Sequence, residues 1–264
     1  MGMVIAVANQ KGGVGKTTTS VNLAASLAAA ERRTLLCDVD PQANATSGVG
    51  IRPRTVDRGL YDALVGRIPT ADLLLQTEVP LLEVLPATQD LVGIELELID
   101  ADNRAGRLRE TLEPIIGRYD YVILDCPPSL GLLTVNALTA ADAVLVPLQC
   151  EYYALEGLTQ LMATIDRVRA HYNDRLTVAG IVLTMFDPRN SLTHQVAEEV
   201  RNHFHVFDAI IPRNVRLSEA PSHGKPALLY DAQCKGAQGY LSLARELVQH
   251  TDTRAATAVA VAAG

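Results

Sequence analysis

The sequence predicts one α/β domain, a mainly parallel twisted sheet with helices on both faces, and three observations predict it. Short β-branched apolar runs alternate with longer segments of helical period along the chain. Those runs are mostly apolar with little alternation of polar residues, as suits strands covered on both faces. The 264 residues are 48% hydrophobic but include only three Phe and no Trp, so the core is aliphatic. A core of this size folds without disulfide or metal staples.

The strand-like runs are Met3–Ala8, Thr34–Cys37, Leu81–Leu85, Tyr121–Leu124, Ala143–Val146 and Val178–Leu183, with a short late run at Val206–Ile211 that could be a strand. Helical spacing covers Lys16–Ala30, Arg104–Ile116, Leu155–Tyr172, Ser191–Phe204 and Gln238–Gln249. The domain is expected to occupy residues 1–250. The final stretch, Thr251–Gly264, is built of small residues without bulky anchors and reads as a disordered tail.

Cys37, Cys126, Cys150 and Cys234 include no C-x-x-C pair, and three of them border apolar runs, where Cys acts as a small hydrophobe. A reducing, cytoplasmic setting follows. No secretion signal is legible at the start, and no apolar run approaches the roughly 20 residues that a membrane-spanning helix needs. The six histidines show no metal-ligand spacing; the nearest pair, His203 and His205, would not share a helix face. Net charge is −7, which disfavours nucleic acid as a partner unless basic residues gather locally.

The strongest chemical signal directly follows the first strand: Asn9-Gln10-Lys11-Gly12-Gly13-Val14-Gly15-Lys16-Thr17-Thr18-Thr19. Strand, glycine-rich loop and helix form the context of a phosphate-binding P-loop. Gly12, Gly13 and Gly15 let the backbone of the loop, Val14 included, wrap an anion with its N–H groups. The helix N-terminus beyond, with Thr18 in its first turn, adds a positive dipole end. Lys16 supplies a mobile charge for the β- and γ-phosphates, and the Thr17 hydroxyl suits Mg²⁺. The usual first glycine of G-x-x-x-x-G-K-[ST] is replaced by Gln10, and Lys11 sits beside the gap.

A magnesium nucleotide site also needs carboxylates at the ends of neighbouring strands. Asp125 ends the run YVILD ahead of Cys126-Pro127-Pro128-Ser129, a stiff turn that cannot continue a strand. It is assigned to Mg²⁺, directly or through water. Asp38 and Asp40 end the second strand in D-V-D-P-Q. The two alternate, so only one can readily face the phosphate, and Asp38 is left to the Mg²⁺ water shell or to bracing the loop.

The arrangement K-G-G-x-G-K-T resembles the deviant Walker A family of ParA, MinD and their relatives. DCPPSLGLLTVN (125–136), QCEYYALEGL (149–158), IPRNVRLSEAPSHGKPALLY (211–230) and the stretch 20–48 through N-A-T-S-G resemble its ParA/Soj chromosome-partitioning branch. The likeness spans about residues 2–249. It implies a Mg²⁺-dependent ATPase in which Lys11 reaches across a homodimer to the partner's nucleotide, ATP being sandwiched between subunits. By the same likeness Lys11, Lys16 and Asp40 are the catalytic set, and Pro212 and Asn214 hold the adenine. An Asn amide can both donate to and accept from a base edge.

The resemblance further implies non-specific binding of double-stranded DNA by the ATP dimer, a nucleoid-associated location, and a ParB-type centromere-binding partner that stimulates hydrolysis. From Met185 to Lys235 six basic residues are balanced by six acidic ones, so DNA contact requires geometry that gathers arginines. Arg189, just before a helix, and Arg216, just after the adenine turn, are the expected pair. A membrane-binding, MinD-like relative would need an amphipathic C-terminal helix with bulky apolar residues and lysines, which 251–264 does not offer. An iron–sulfur reductase of the same superfamily would need two suitably placed cysteines, and Cys126 has no matching partner.

Overall fold

The computed structural model describes the backbone of residues 2–262 and the side chains through Thr251, residue 53 excepted. Eight strands form one sheet: β1 (Met3–Val7), β2 (Thr34–Asp38), β3 (Leu75–Gln76), β4 (Leu82–Leu85), β5 (Tyr121–Asp125), β6 (Ala143–Gln149), β7 (Thr177–Phe186) and β8 (Val206–Pro212). Their order across the sheet is β3-β4-β2-β5-β1-β6-β7-β8. Every neighbouring pair is parallel except β3–β4, an antiparallel edge of two residues.

Side chains alternate across each strand and so divide the core into two. Val4, Ala6, Leu35, Cys37, Val122 and Leu124 face one layer of helices, at 60–64, 107–116, 132–140, 154–171 and 191–203. Ile5, Val7, Leu36, Tyr121 and Ile123 face the other, formed by the helix Lys16–Ala29 and the final helix from Lys235. The Lys16–Ala29 helix is pressed between sheet and final helix. Leu23, Ala24, Ala25 and Leu27 are fully buried, which accounts for its small-residue sequence. The Thr19 hydroxyl meets the Tyr240 hydroxyl at 3.1 Å inside this contact, so two buried polar groups satisfy one another.

The final helix extends to Ala262, into the segment from Thr251 for which the sequence predicts a disordered tail. Side chains from Asp252 onward, and residues 263 and 264 altogether, lie outside the described residues. The sequence reading also omitted β3, the helix Leu132–Ala140 and several helices of four or five residues. Among the described residues no helix is long and apolar enough to cross a membrane.

One irregularity fixes the sheet's second half. Val144 pairs with Val178 but Leu145 pairs with Gly180, so Ala179 is an extra residue on β7. Gly180 adopts φ +154°, and a Cβ there would lie 2.7 Å from the Phe207 ring and 2.8 Å from His205. A glycine at a bulge lets β8 approach β7 closely. Gly180→Ala is expected to cost about 2 kcal/mol through overpacking and backbone strain, read as a lowered midpoint in urea unfolding with an unchanged slope.

Candidate functional site

The central strand β1 is flanked by β5 on one side and β6 on the other, so chain connections leave it in both directions. Ligands of open parallel sheets bind at the carboxyl end of such a switch point. The segment Ala8–Gly15 occupies that place here. Gly13 (φ +75°) and Gly15 (φ +89°) both adopt the left-handed conformation, which explains why glycine stands at these two positions.

The loop is held in shape by side chains remote in sequence. Asn9 donates from Nδ2 to the Pro147 carbonyl at 2.7 Å, and its Oδ1 accepts from the Lys11 N–H at 3.0 Å. The Thr184 hydroxyl on β7 donates to the Val14 carbonyl at 2.8 Å. Lys16 is only 7% exposed and donates from Nζ to the Lys11 carbonyl at 3.0 Å. Burial pulls its ammonium below the ordinary lysine range, while Asp125, Cys126 and Asp40 act in the opposite direction. A buried cation tethered to one carbonyl is poised to exchange that contact for phosphate oxygens. Thr18 spends its carbonyl on the Asn22 amide at 2.8 Å, within the helix.

Parallel register aligns three strand ends: Asp125 lies beside Val7 of β1 and beside Asp38 of β2. Asp125 is fully buried. Its Oδ1 accepts from the Ser20 hydroxyl at 2.7 Å, and the Thr17 hydroxyl lies close enough to favour the ionised carboxylate. Its Oδ2 has no hydrogen-bond partner. Burial and the neighbouring Asp38 push the Asp125 carboxyl up to about 8. An orphaned, buried carboxylate oxygen next to a threonine hydroxyl at the mouth of a phosphate loop fits a hard divalent cation, whose charge would offset that burial. Thr17 and Asp125, the residues assigned to Mg²⁺ from sequence, are thus brought together.

Asp38 is committed elsewhere. One oxygen accepts from the Asp40 N–H at 3.2 Å, and the other from the Thr46 N–H and hydroxyl, both at 2.7 Å. Thr46 in turn accepts from the Ala87 N–H at 3.1 Å. Burial raises the Asp38 carboxyl to about 6 against these hydrogen bonds. Of the two roles left open for Asp38, bracing the loop is the one its contacts serve. Asp40 lies just past the end of β2, 8% exposed, with Oδ1 accepting from the Gln42 N–H at 2.9 Å.

Lys11 is the exception to burial. Its Nζ pairs with Glu151 Oε2 at 2.5 Å, and Glu151 Oε1 accepts from the Gln149 amide at 2.5 Å. The pair lies at the surface, with the Lys11 side chain 35% exposed. A Cβ built on Gly12 meets nothing within 4 Å, so the loop is open on that side.

Pro212 ends β8 in register with Phe186. Asn214 caps the helix Val215–Glu219, its Oδ1 accepting from the Arg216 N–H at 2.9 Å. The same register sets the Asp187–Arg189 loop near Arg213, which acts on the Asp187 carboxylate together with Arg189. Arg189 is 88% exposed and forks onto Asp187 at 3.1 and 3.3 Å. Arg216 pairs with Glu219 at 2.8 Å and Asp231 at 3.4 Å and lies over the Tyr230 ring. Sequence reasoning missed Asn9, Ser20, Thr46, Thr184 and Glu151. Only Ser20 carried a local signal, standing one helical turn from Lys16 and Thr17.

A family model described as an AAA domain matches residues 2–178. The chromosome partitioning protein ParA of Myxococcus xanthus is 59% identical, covering 94% of this chain and 89% of that protein. The sporulation initiation inhibitor protein Soj of Bacillus subtilis is 55% identical, covering 94% and 98%. Among solved structures, cobyrinic acid a,c-diamide synthase from Mycobacterium smegmatis, with bound ATP analogue and magnesium, superposes with a TM-score of 0.86 at 37% identity. That match covers 95% of both chains. The cell division ATPase MinD of Pyrococcus furiosus superposes with a TM-score of 0.79 at 27% identity, covering 94% and 99%.

The raised Asp125 carboxyl has a measurable consequence. From its ordinary 3.8 to about 8, the folded chain holds a proton that the unfolded chain releases. Stability without nucleotide therefore falls as pH rises through that window. The thermal midpoint of nucleotide-free protein is expected to drop between about pH 6 and pH 8, and Asp125→Asn should remove most of that drop.

Proposed function

The chain belongs to the ParA/Soj family of ATPases, and from that membership and the geometry of its phosphate loop we propose that it is an ATP-gated DNA-partitioning switch. It is a magnesium-dependent ATPase; the proposal concerns what the ATP cycle does. In this reading two subunits enclose ATP between them, the dimer binds double-stranded DNA without sequence preference, and a ParB-type partner triggers hydrolysis and release. Repeated cycles move a chromosome or plasmid.

The observation that carries the reading is the contrast between the loop's two lysines. Lys16 is buried at its own phosphate site, whereas Lys11 sits at the surface on Glu151. A second lysine that its own subunit's site does not need is available to a neighbour's. Exchanging the exposed Glu151 pair for a nucleotide phosphate costs little, since surface ion pairs contribute about 0–1 kcal/mol.

Phosphoryl transfer to water asks chiefly for positioning and charge neutralisation. Lys16 holds the β- and γ-phosphates, and Thr17 and Asp125 hold the Mg²⁺ that neutralises phosphate charge. Asp40 orients the attacking water at the mouth of the site. Lys11 of the second subunit adds positive charge only once the dimer has formed. Pro212 and Asn214 bound the adenine. Intrinsic turnover is slow because Asp40 is engaged with the Gln42 N–H until a partner reshapes the loop.

DNA binding in this chain rests on local geometry, as its net charge of −7 requires. Arg189, Arg213 and Arg216 share one end of the sheet through the β7–β8 register. Dimerisation doubles that patch, so affinity for DNA rises with ATP. The acids paired to Arg189 and Arg216 must yield to phosphates, and binding is steeply salt-dependent.

Two outcomes are expected. Asp40→Ala should elute as a dimer with Mg-ATP and as a monomer with ADP in size-exclusion chromatography, and lose at least about 100-fold in turnover; a monomer at saturating Mg-ATP overturns the reading. Arg189→Glu or Arg216→Glu should lower affinity for a short duplex at least about tenfold while leaving the ATP dimer intact. Mobility shifts at two salt concentrations check this.

A further inference from the structure

Away from the nucleotide, one apolar stripe is left bare by the chain's own packing. The segment formed by the turn Gln89–Gly93 and the helix Ile94–Glu97 buries Leu91, Ile94 and Leu98 in the core. On its other side Val92, Leu96 and Ile99 are 72%, 77% and 59% exposed. Their spacing of four and three residues puts them in one row. A helical segment that is apolar on both sides belongs in an interior, and here the second side faces solvent.

The segment that carries this row is charged with one sign. Residues 89–103 contain Asp90, Glu95, Glu97, Asp100 and Asp102 and no Lys, Arg or His. Glu97 is engaged by the Tyr61 hydroxyl at 3.1 Å, beneath Arg67. Asp90, Asp100 and Asp102 are exposed and flank the stripe on both sides in sequence. Three apolar side chains flanked by carboxylates complement an amphipathic segment with basic flanks. A second copy of this chain would set acid against acid.

The segment is also wired to the nucleotide site. Glu95 Oε1 accepts from the Leu132 N–H at 3.0 Å, and a Cβ on Gly131 would come within 2.8 Å of it. Leu132 opens the helix that follows the Cys126–Ser129 turn, directly after Asp125. One side chain therefore joins the bare stripe to the turn that leads from the magnesium carboxylate.

We infer that Val92, Leu96 and Ile99 form the docking face for a basic amphipathic segment of a protein partner, and that Glu95 is a positioning residue transmitting its arrival to the turn after Asp125. The inference rests on the reading of this chain as a partner-stimulated ATPase and adds where the stimulus enters. Leu96 governs affinity for the partner, and Glu95 governs what binding achieves.

The test measures ATPase rate against concentration of the purified ParB-type protein of the same organism, with Mg-ATP and duplex DNA. Leu96→Lys should raise the concentration for half-maximal stimulation at least about tenfold, a hot-spot-sized loss, and Leu96→Ser should shift it less in the same direction. Unstimulated turnover and the ATP-dependent dimer should be unchanged, as surface substitutions leave the fold intact. Glu95→Ala should keep the half-maximal concentration and lower the maximal stimulation, with Glu95→Gln restoring it by retaining the acceptor oxygen. If the wild-type chain is not stimulated, the partner reading falls and this site with it. Stimulation of both Leu96 variants at wild-type concentrations overturns the site alone. Loss of the ATP dimer in both assigns the stripe to a second copy of the chain and likewise overturns it.

Discussion

Everything at the nucleotide end of the sheet depends on burying carboxylates beside a buried ammonium. Asp125 and Asp38 lie side by side on β5 and β2 because parallel register brings those strand ends level, and Lys16, at the start of the helix after the loop, is buried near Asp125 and Asp40. Isolated, each charge would be costly to remove from water. The structure offsets the cost unequally. Asp38 is saturated by Thr46 and the Asp40 N–H, whereas Asp125 keeps one oxygen without a partner. That asymmetry makes the nucleotide-free chain electrostatically incomplete at Asp125.

How much of this was legible in the sequence follows from the range of the interactions. Buried parallel strands are largely apolar runs, so six of the eight strands announce themselves, and β8 is visible as a run broken by Asp208. The edge β3 has two residues and exists only because Leu75 and Gln76 meet β4. The phosphate loop is readable because its glycines, lysines and threonine are contiguous, and Gly13 and Gly15 carry their reason locally in positive φ.

What holds that loop is not contiguous. Thr184 reaches it from 170 positions away and Glu151 meets Lys11 across 140, and neither residue type is unusual where it stands. The balance of six bases and six acids over 185–235 was equally readable. That Arg216 would spend its charge on Glu219 and Asp231, and Arg189 on Asp187, was not. The bare row of Val92, Leu96 and Ile99 could not be told from core by hydropathy, since the segment is apolar on both sides.

The hydroxyl contact between Thr19 and Tyr240 carries a consequence for biogenesis. The helix that begins at Lys16 leaves the ribosome well before the residues that close its outer flank, Tyr240, Leu243 and Leu247, Tyr240 lying 221 positions beyond Thr19. A nascent chain short of these residues exposes one side of the very helix whose first turn grips phosphate. A well-packed helix at this end of the sheet thus waits on residues 221 positions downstream, and chains not yet extended past them are poorly equipped to join the ATP cycle.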